Sequence, residues 1–220
     1  MKSFELWGLA IGLNLLCCNQ IYFKTENRIE QLEISDKSKD EREILILIRN
    51  VLIWANSKNT IGSLPPALKN SKGNIYTEFD LNKHRQNLRK LKTTNTFSQE
   101  FIDNYNKIIV KLNNGLKNGS YGKWLVGDLP PFNFGSEVDP WSLCQDVPYD
   151  KPNPLEFIEV EILKLDSVEG KLNWKWGRLD SNTDSGWKKF KYKFKVIKEN
   201  KKWKIAYLEG FDFEKSTRKF

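Results

Sequence analysis

A change of hydrophobic period constrains this chain more than any other feature. Upstream of about residue 115 apolar residues recur every three or four positions, whereas between 157 and 207 they recur every second position. Period 2 sends alternate side chains to opposite faces of a strand, so each strand there has one apolar and one charged face. Phe157-Ile158-Glu159-Val160-Glu161-Ile162 alternates, Asp166 to Lys171 turns, and Leu172-Asn173-Trp174-Lys175-Trp176 alternates back. Lys189, Lys191, Lys193 and Lys195 then interleave with Phe190, Tyr192, Phe194 and Val196, and Glu199-Asn200 turns the chain into Trp203, Ile205 and Tyr207. Strands joined by short turns pair antiparallel, which predicts a four-stranded meander whose apolar face needs a cover. The remaining apolar residues are helical, so the fold class is α+β: N-terminal helices packed on a curved, C-terminal antiparallel sheet.

The cover is legible in three segments. Ser38-Lys39-Asp40-Glu41 forms a capping box, followed at helical spacing by Ile44, Leu47, Ile48, Val51, Leu52 and Ala55, with Ile46, Ile53 and Trp54 widening the stripe of a helix over 40–57. Residues 58–78 hold Gly62, Pro65, Pro66 and Gly73 and read as a loop. Asp80 caps a second, very basic helix to Lys92, with a narrow stripe of Leu81, Leu88 and Leu91; His84, between Lys83 and Arg85, is expected on its surface with a pKa lowered by repulsion. A third helix begins at a capping box, Thr96-Phe97-Ser98-Gln99, buries Phe101, Tyr105, Ile108, Ile109 and Leu112, and stops at Gly115. Residues 116–154 are irregular. With 39% hydrophobic and 13% aromatic residues, the chain can bury a core of its own.

The first twenty residues have a separate reading. Lys2 precedes an apolar stretch, Leu6 to Leu16, then Cys17-Cys18-Asn19. The stretch is too short to span a bilayer of about 30 Å and suits a signal peptide. Cysteines directly after it match the box of a bacterial lipoprotein, with Leu15 three residues before Cys18; plain secretion and a buried N-terminal helix are the alternatives. Cys18 is the lipidation candidate, 21–37 the polar tether, 38–214 the folded domain and 215–220 a basic tail. The expected location is the bacterial cell envelope, membrane-anchored if acylated and secreted or periplasmic if not. Cys144 would then be a lone thiol, and three cysteines exclude a disulfide scaffold.

Charge is concentrated. Nine lysines between Lys188 and Lys204 face one acid, Glu199, so this window holds as much net charge as the whole chain, +8. Lys189, Lys191, Lys193 and Lys195 could meet an anionic surface such as phospholipid headgroups, a polyanionic glycan or an acidic protein; the plainer reading is a solvated outer face balanced by Glu159 and Glu161. Nucleic acid fits poorly, because the intervening aromatics point into the core and cannot stack on bases. Trp174 and Trp176, with Trp54 and Tyr192, are candidates to line a ligand cavity or, more simply, to fill the core. One histidine cannot furnish a Ser-His-Asp or Cys-His arrangement, no Cys/His spacing resembles a metal site, and no stretch has the context of a phosphate loop. No cofactor and no catalytic set is therefore expected.

Two stretches resemble known families. Trp203 to Phe211, following the lysine-rich hairpin, looks like the closing strand of the cystatin-like cone shared by nuclear-transport-factor-like and ketosteroid-isomerase-like domains. Asp139-Pro140-Trp141-Ser142-Leu143-Cys144-Gln145-Asp146-Val147-Pro148 is similar to the Asp-Pro-Phe, then Ala-Gln-Asp, signature of a family of bacterial exported and lipid-anchored proteins of unknown function, from which it departs at Trp141 and Cys144. The resemblance implies the cone fold and an extracytoplasmic location, with 58–92 as an insertion. Asp139, Trp141, Gln145 and Asp146 become ligand or pocket candidates, Trp141 as an apolar platform and the others as orienting groups, against a structural reading in which they bond turn N–H groups. The leading expectation is a non-enzymatic binding module for a protein or small ligand. The rivals are a ketosteroid-isomerase-like enzyme with Asp139 or Asp146 as base beside Tyr149 or Tyr192, and an immunity-type toxin inhibitor with an exposed acidic or aromatic patch.

Overall fold

Residues 39–57 and 60–219 are described by the structure, a computed structural model. The leader, the tether and Ser38 lie outside them. Helix α1 (Lys39–Ala55) buries Ile44, Leu45, Ile48, Val51, Leu52 and Ala55, which recur at three and four residues and so share one face. Ile46 and Ile53 do not widen that face; they are 57% and 37% exposed. From Glu43 onward the chain forms one compact unit.

The segment expected to be a loop holds strands β1 (Ala67–Lys69) and β2 (Ile75–Phe79), an antiparallel hairpin that β3 (Trp124–Leu125) extends to a three-stranded sheet in the order β1-β2-β3. The hairpin is tied in: the Phe79 N–H donates to Asn113 Oδ1 at 2.7 Å, a buried bond. Helix α2 (Leu81–Thr94) starts at Asp80, whose carboxylate accepts from the N–H groups of Asn82 and Lys83 at 2.9 and 3.0 Å. His84 is buried, 2% exposed, which corrects its expected place on the surface. It falls between Leu81 and Leu88 on the inward row; its ring meets Tyr105 edge-on at 5.2 Å and its Nε2 lies 3.0 Å from Asn106 Oδ1. Burial is the main reason its pKa is lowered; the Asn106 bond opposes the shift, and repulsion from Arg85 is the smaller contribution.

Helix α3 (Gln99–Lys117) is capped by Ser98, whose Oγ accepts from the Phe101 N–H, and not by Thr96. Residues 96–98 are extended instead: the Thr96 carbonyl accepts from Ile205 N and Ser98 N donates to the Ile205 carbonyl, a parallel bridge that lays Phe97 beside Ile205. The helix continues past Gly115, where the Tyr121 ring packs so closely that a Cβ would lie 2.1 Å from it.

The expected meander is present. Strands β4 (Glu159–Leu165), β5 (Glu169–Lys175), β6 (Tyr192–Glu199) and β7 (Lys202–Leu208) pair antiparallel in the order β4-β5-β6-β7. Asn200 and Lys201, at φ 52° and 63°, make the two-residue turn whose twist suits the flanking strands β6 and β7. A short helix, α4 (Ser185–Lys189), precedes β6, so Lys189 is helical and the strand begins later than its alternation suggests. Leu172, Trp174, Tyr192, Phe194, Val196, Ile205 and Leu208 face one continuous core with Ile48, Leu52, Phe101, Ile108 and Leu112 of the helices. Residues 215–219 are not a free tail. Helix α5 (Phe213–Ser216) leads into Lys219, which bridges Phe132, while Asn133 and Phe134 donate to the carbonyls of Arg218 and Ser216.

Candidate functional site

The motif at 139–146 is a tight turn folded over the core. One oxygen of Asp139 accepts from the Trp141 N–H at 3.2 Å, and its carbonyl accepts from the N–H groups of Ser142 and Leu143. Leu143 takes φ 54°, and an isolated bridge joins Asp139 to Cys144. Asp146 accepts from the Val147 N–H at 2.8 Å, and the Gln145 amide donates to the Glu137 carbonyl at 2.5 Å. Short polar side chains bonding N–H groups one or two residues on are what hold a turn together. Asp139, Gln145 and Asp146 stand at the surface. The dense chain around Asp139 still desolvates its carboxyl and raises its pKa, with the Trp141 N–H opposing.

Trp141 is no platform at a rim. It is 2% exposed and packs among Phe211, Trp54, Phe97 and Phe101, with ring centroids 4.6 to 6.1 Å away. Tyr192 holds the turn down from below. Its hydroxyl donates to the Pro140 carbonyl at 2.8 Å and accepts from the Gly210 N–H at 3.1 Å. Gly210 sits so close that a Cβ there would lie 1.9 Å from the Pro140 oxygen. The Tyr149 hydroxyl is likewise occupied, donating to the Gly177 carbonyl at 3.1 Å. Neither tyrosine is aimed at Asp139 or Asp146 across an open space.

The other tryptophan candidates, Trp174, Trp176 and Trp54, are packed against rings. Trp174 stacks on Tyr192 at 5.6 Å and meets Trp176 edge-on at 5.1 Å; Phe190 and Trp187 complete this cluster, while Trp54 lies apart with Phe97 and Trp141. A cleft of about 280 Å³ is found instead beside the far side of the turn, walled by Phe134, Gly135, Pro140, Leu143, Glu209 and Lys215. Glu209 and Lys215 are already paired there at 3.1 Å. Cys144 is half-buried and its thiol pKa is pushed up to about 11 by burial, which keeps it protonated and unreactive.

The lysine stripe is largely neutralised. Lys191 meets Glu161 at 2.7 Å, Lys195 lies between Glu100 and Glu169 at 3.8 and 3.7 Å, and on the neighbouring strands Lys175 pairs with Glu159 and Lys204 with Glu199. The Lys191 ammonium, then the Asn173 amide, hold the Glu161 carboxyl below its usual range. Lys189 and Lys193 carry the remaining charge of the stripe.

Helix α2 is the opposite case and was missed as a charged surface, although the sequence displays it. Lys83, Arg85, Arg89, Lys90 and Lys92 are all exposed, and the helix contains no acid. Lys83, Arg85, Arg89 and Lys92 form no ion pair with any described residue; Lys83 and Arg85 bond only the neutral side chains of Gln86 and Asn82. Among the described residues no group of acids, histidines or cysteines could hold a metal ion, and no helix is long and apolar enough to cross a membrane. Comparison with protein-family models, with curated proteins and with solved structures found no match for this chain.

Proposed function

We propose that this protein is a non-enzymatic binding module of the bacterial cell envelope, held to the membrane by acyl chains on Cys18 and meeting a protein or small ligand through a domain of the cystatin-like cone class. The leader and the motif at 139–148 support the location, and helices backing a one-faced meander supply the layout that such a cone requires. One observation carries the binding reading. The polar groups best suited to chemistry, Asp139, Asp146, Tyr149 and Tyr192, are each committed to a backbone partner, whereas the free charge lies on open surface. An isomerase-type site requires a desolvated carboxylate and a hydroxyl donor facing one enclosed substrate, and these four residues do not provide that arrangement. A toxin inhibitor of the acidic type is disfavoured by the cationic surface.

Mass spectrometry of the mature N-terminus tests the anchor. A diacylated or triacylated Cys18 is expected, and Cys18→Ser should leave the precursor uncut and without lipid; an unmodified N-terminus at or beyond Asn19 sinks the anchor. Reproducible turnover of any substrate by the purified protein, lost on replacing residues of the cleft, would overturn the non-enzymatic reading.

A further inference from the structure

The outer face of α2 violates the local electrostatics of helices. Lys83 and Arg85 stand in and just after the first turn, at the end where the helix dipole favours anions, while the acid at that end, the Asp80 cap, is engaged with the N–H groups of Asn82 and Lys83. Arg85, Arg89 and Lys92, at i, i+4 and i+7, form a row of like charge about 10 Å long, a spacing at which like charges destabilise a helix. The lysine stripe leading into β6 shows the contrast, because Lys191 and Lys195 are matched by glutamates of other elements. A row of like charges, Arg85, Arg89 and Lys92, with no ion pair to any described residue is where a partner of opposite sign is expected.

We propose that this face docks on the anionic phospholipid surface of the membrane that holds the anchor. The proposal rests on the anchored reading of Cys18 and adds what the folded domain does beside the bilayer. Twenty residues separate Cys18 from Lys39, and a chain of that length spans at most about 70 Å, so the domain never leaves the neighbourhood of the leaflet. Charge alone suffices for such a surface, and charge is what α2 offers. Its exposed residues are Asn82, Lys83, Arg85, Gln86, Arg89, Lys90, Lys92 and Thr93, with no apolar wedge to insert and no aromatic ring on which a base could stack. Single-stranded nucleic acid is therefore the poorer fit.

The experiment uses the full chain in unacylated form, C17S/C18S, sedimented with vesicles of phosphatidylcholine alone or of phosphatidylcholine with phosphatidylglycerol. The leader contributes to both, so the ratio of the two affinities reports the charged surfaces. That ratio should fall more than about tenfold in the variant K83Q/R85Q/R89Q/K92Q, since each cation near an anionic surface contributes roughly fivefold. It should also fall when salt is raised, and should persist in K189Q/K193Q. The quadruple variant relieves repulsion, so its melting temperature should not drop; a drop would move the test to the pairs K83Q/R85Q and R89Q/K92Q, each expected to give a partial loss. An unchanged ratio in the folded quadruple variant, a loss caused instead by K189Q/K193Q, or displacement of the protein from vesicles by equimolar nucleic acid would each overturn the proposal. If Cys18 proves unmodified while the α2-dependent ratio holds, the anchor reading fails and the docking face stands.

Discussion

Tyr192→Phe isolates the clasp that fastens the 139–144 turn. The ring is fully buried and stacked on Trp174, and phenylalanine keeps both, so the substitution opens no space and removes one oxygen. That oxygen serves two backbone groups, the Pro140 carbonyl and the Gly210 N–H, from chain positions 52 and 18 residues away. Leaving a buried polar group unpaired costs about 1–3 kcal/mol. Pro140 is buried and Gly210 half-buried, so Gly210 regains part of its loss from water, and the total is about 2–4 kcal/mol. For a domain of this size that lowers the melting temperature by roughly 5–12 °C. Burial raises the Tyr192 pKa far above its ordinary value, so the hydroxyl remains a donor at any working pH and the effect should not vary between neutral and mildly alkaline buffer. Urea unfolding should show a lower midpoint with an unchanged slope. Tyr149→Phe, which removes one partly exposed bond to Gly177, should cost about 1 kcal/mol. A loss below about 0.5 kcal/mol for Tyr192→Phe would refute the idea that this hydroxyl fastens the turn.

Two further outcomes follow from shifted titrations. The folded pKa of Asp139 is raised, so its ionisation favours the unfolded chain: the group opposes folding at neutral pH and ceases to do so once pH falls below its unfolded value of about 4. Asp139→Asn keeps the acceptor for the Trp141 N–H and removes the charge, so it should be at least as stable as the parent at pH 7, with the difference closing in acid; urea midpoints across pH that diverge in acid instead would contradict this. With its thiol pKa at about 11, Cys144 should react with iodoacetamide at pH 8 about a hundredfold more slowly in the folded chain than in urea, read by peptide mapping, and comparable rates would contradict its burial.

The meander was legible because alternation over 157–207 is a local signal that a single strand displays by itself. Helix α2 and its Asp80 cap were legible for the same reason. Strand β2 was not: Ile75-Tyr76-Thr77-Glu78-Phe79 is half-exposed, it lies among prolines and glycines, and its second partner, Trp124-Leu125, follows some fifty residues later. Thr96 offered a capping box as good as Ser98 on paper, and only the pairing of 96–98 with Ile205 decides between them. The motif was legible as a turn whose polar side chains bond nearby backbone, but not the burial of Trp141, which turns inward to an aromatic cluster drawn from three distant segments. The lysine stripe was legible, and so was its partial balance by Glu161. Counting cannot reveal that Lys191 and Lys195 find Glu161, Glu100 and Glu169, or that Lys83, Arg85, Arg89 and Lys92 find no acid among the described residues.

The bridge between Phe97 and Ile205 has a bearing on how this domain survives at high local density. An open four-stranded sheet has two rims at which another chain could add a strand and begin an aggregate. At the β7 rim, Ile205 already gives its N–H to Thr96 and receives that of Ser98, so the middle of the rim is occupied by the chain itself. At the β4 rim the register slips between Ile162 and Lys164, leaving Leu163 bulged outward, and Glu159, Glu161 and Lys164 charge the strand on both sides of the slip. A bulge and charges of both signs make a poor template for an incoming strand. One rim is filled and the other blunted, so neighbouring copies at high local density can lie side by side without their sheets joining.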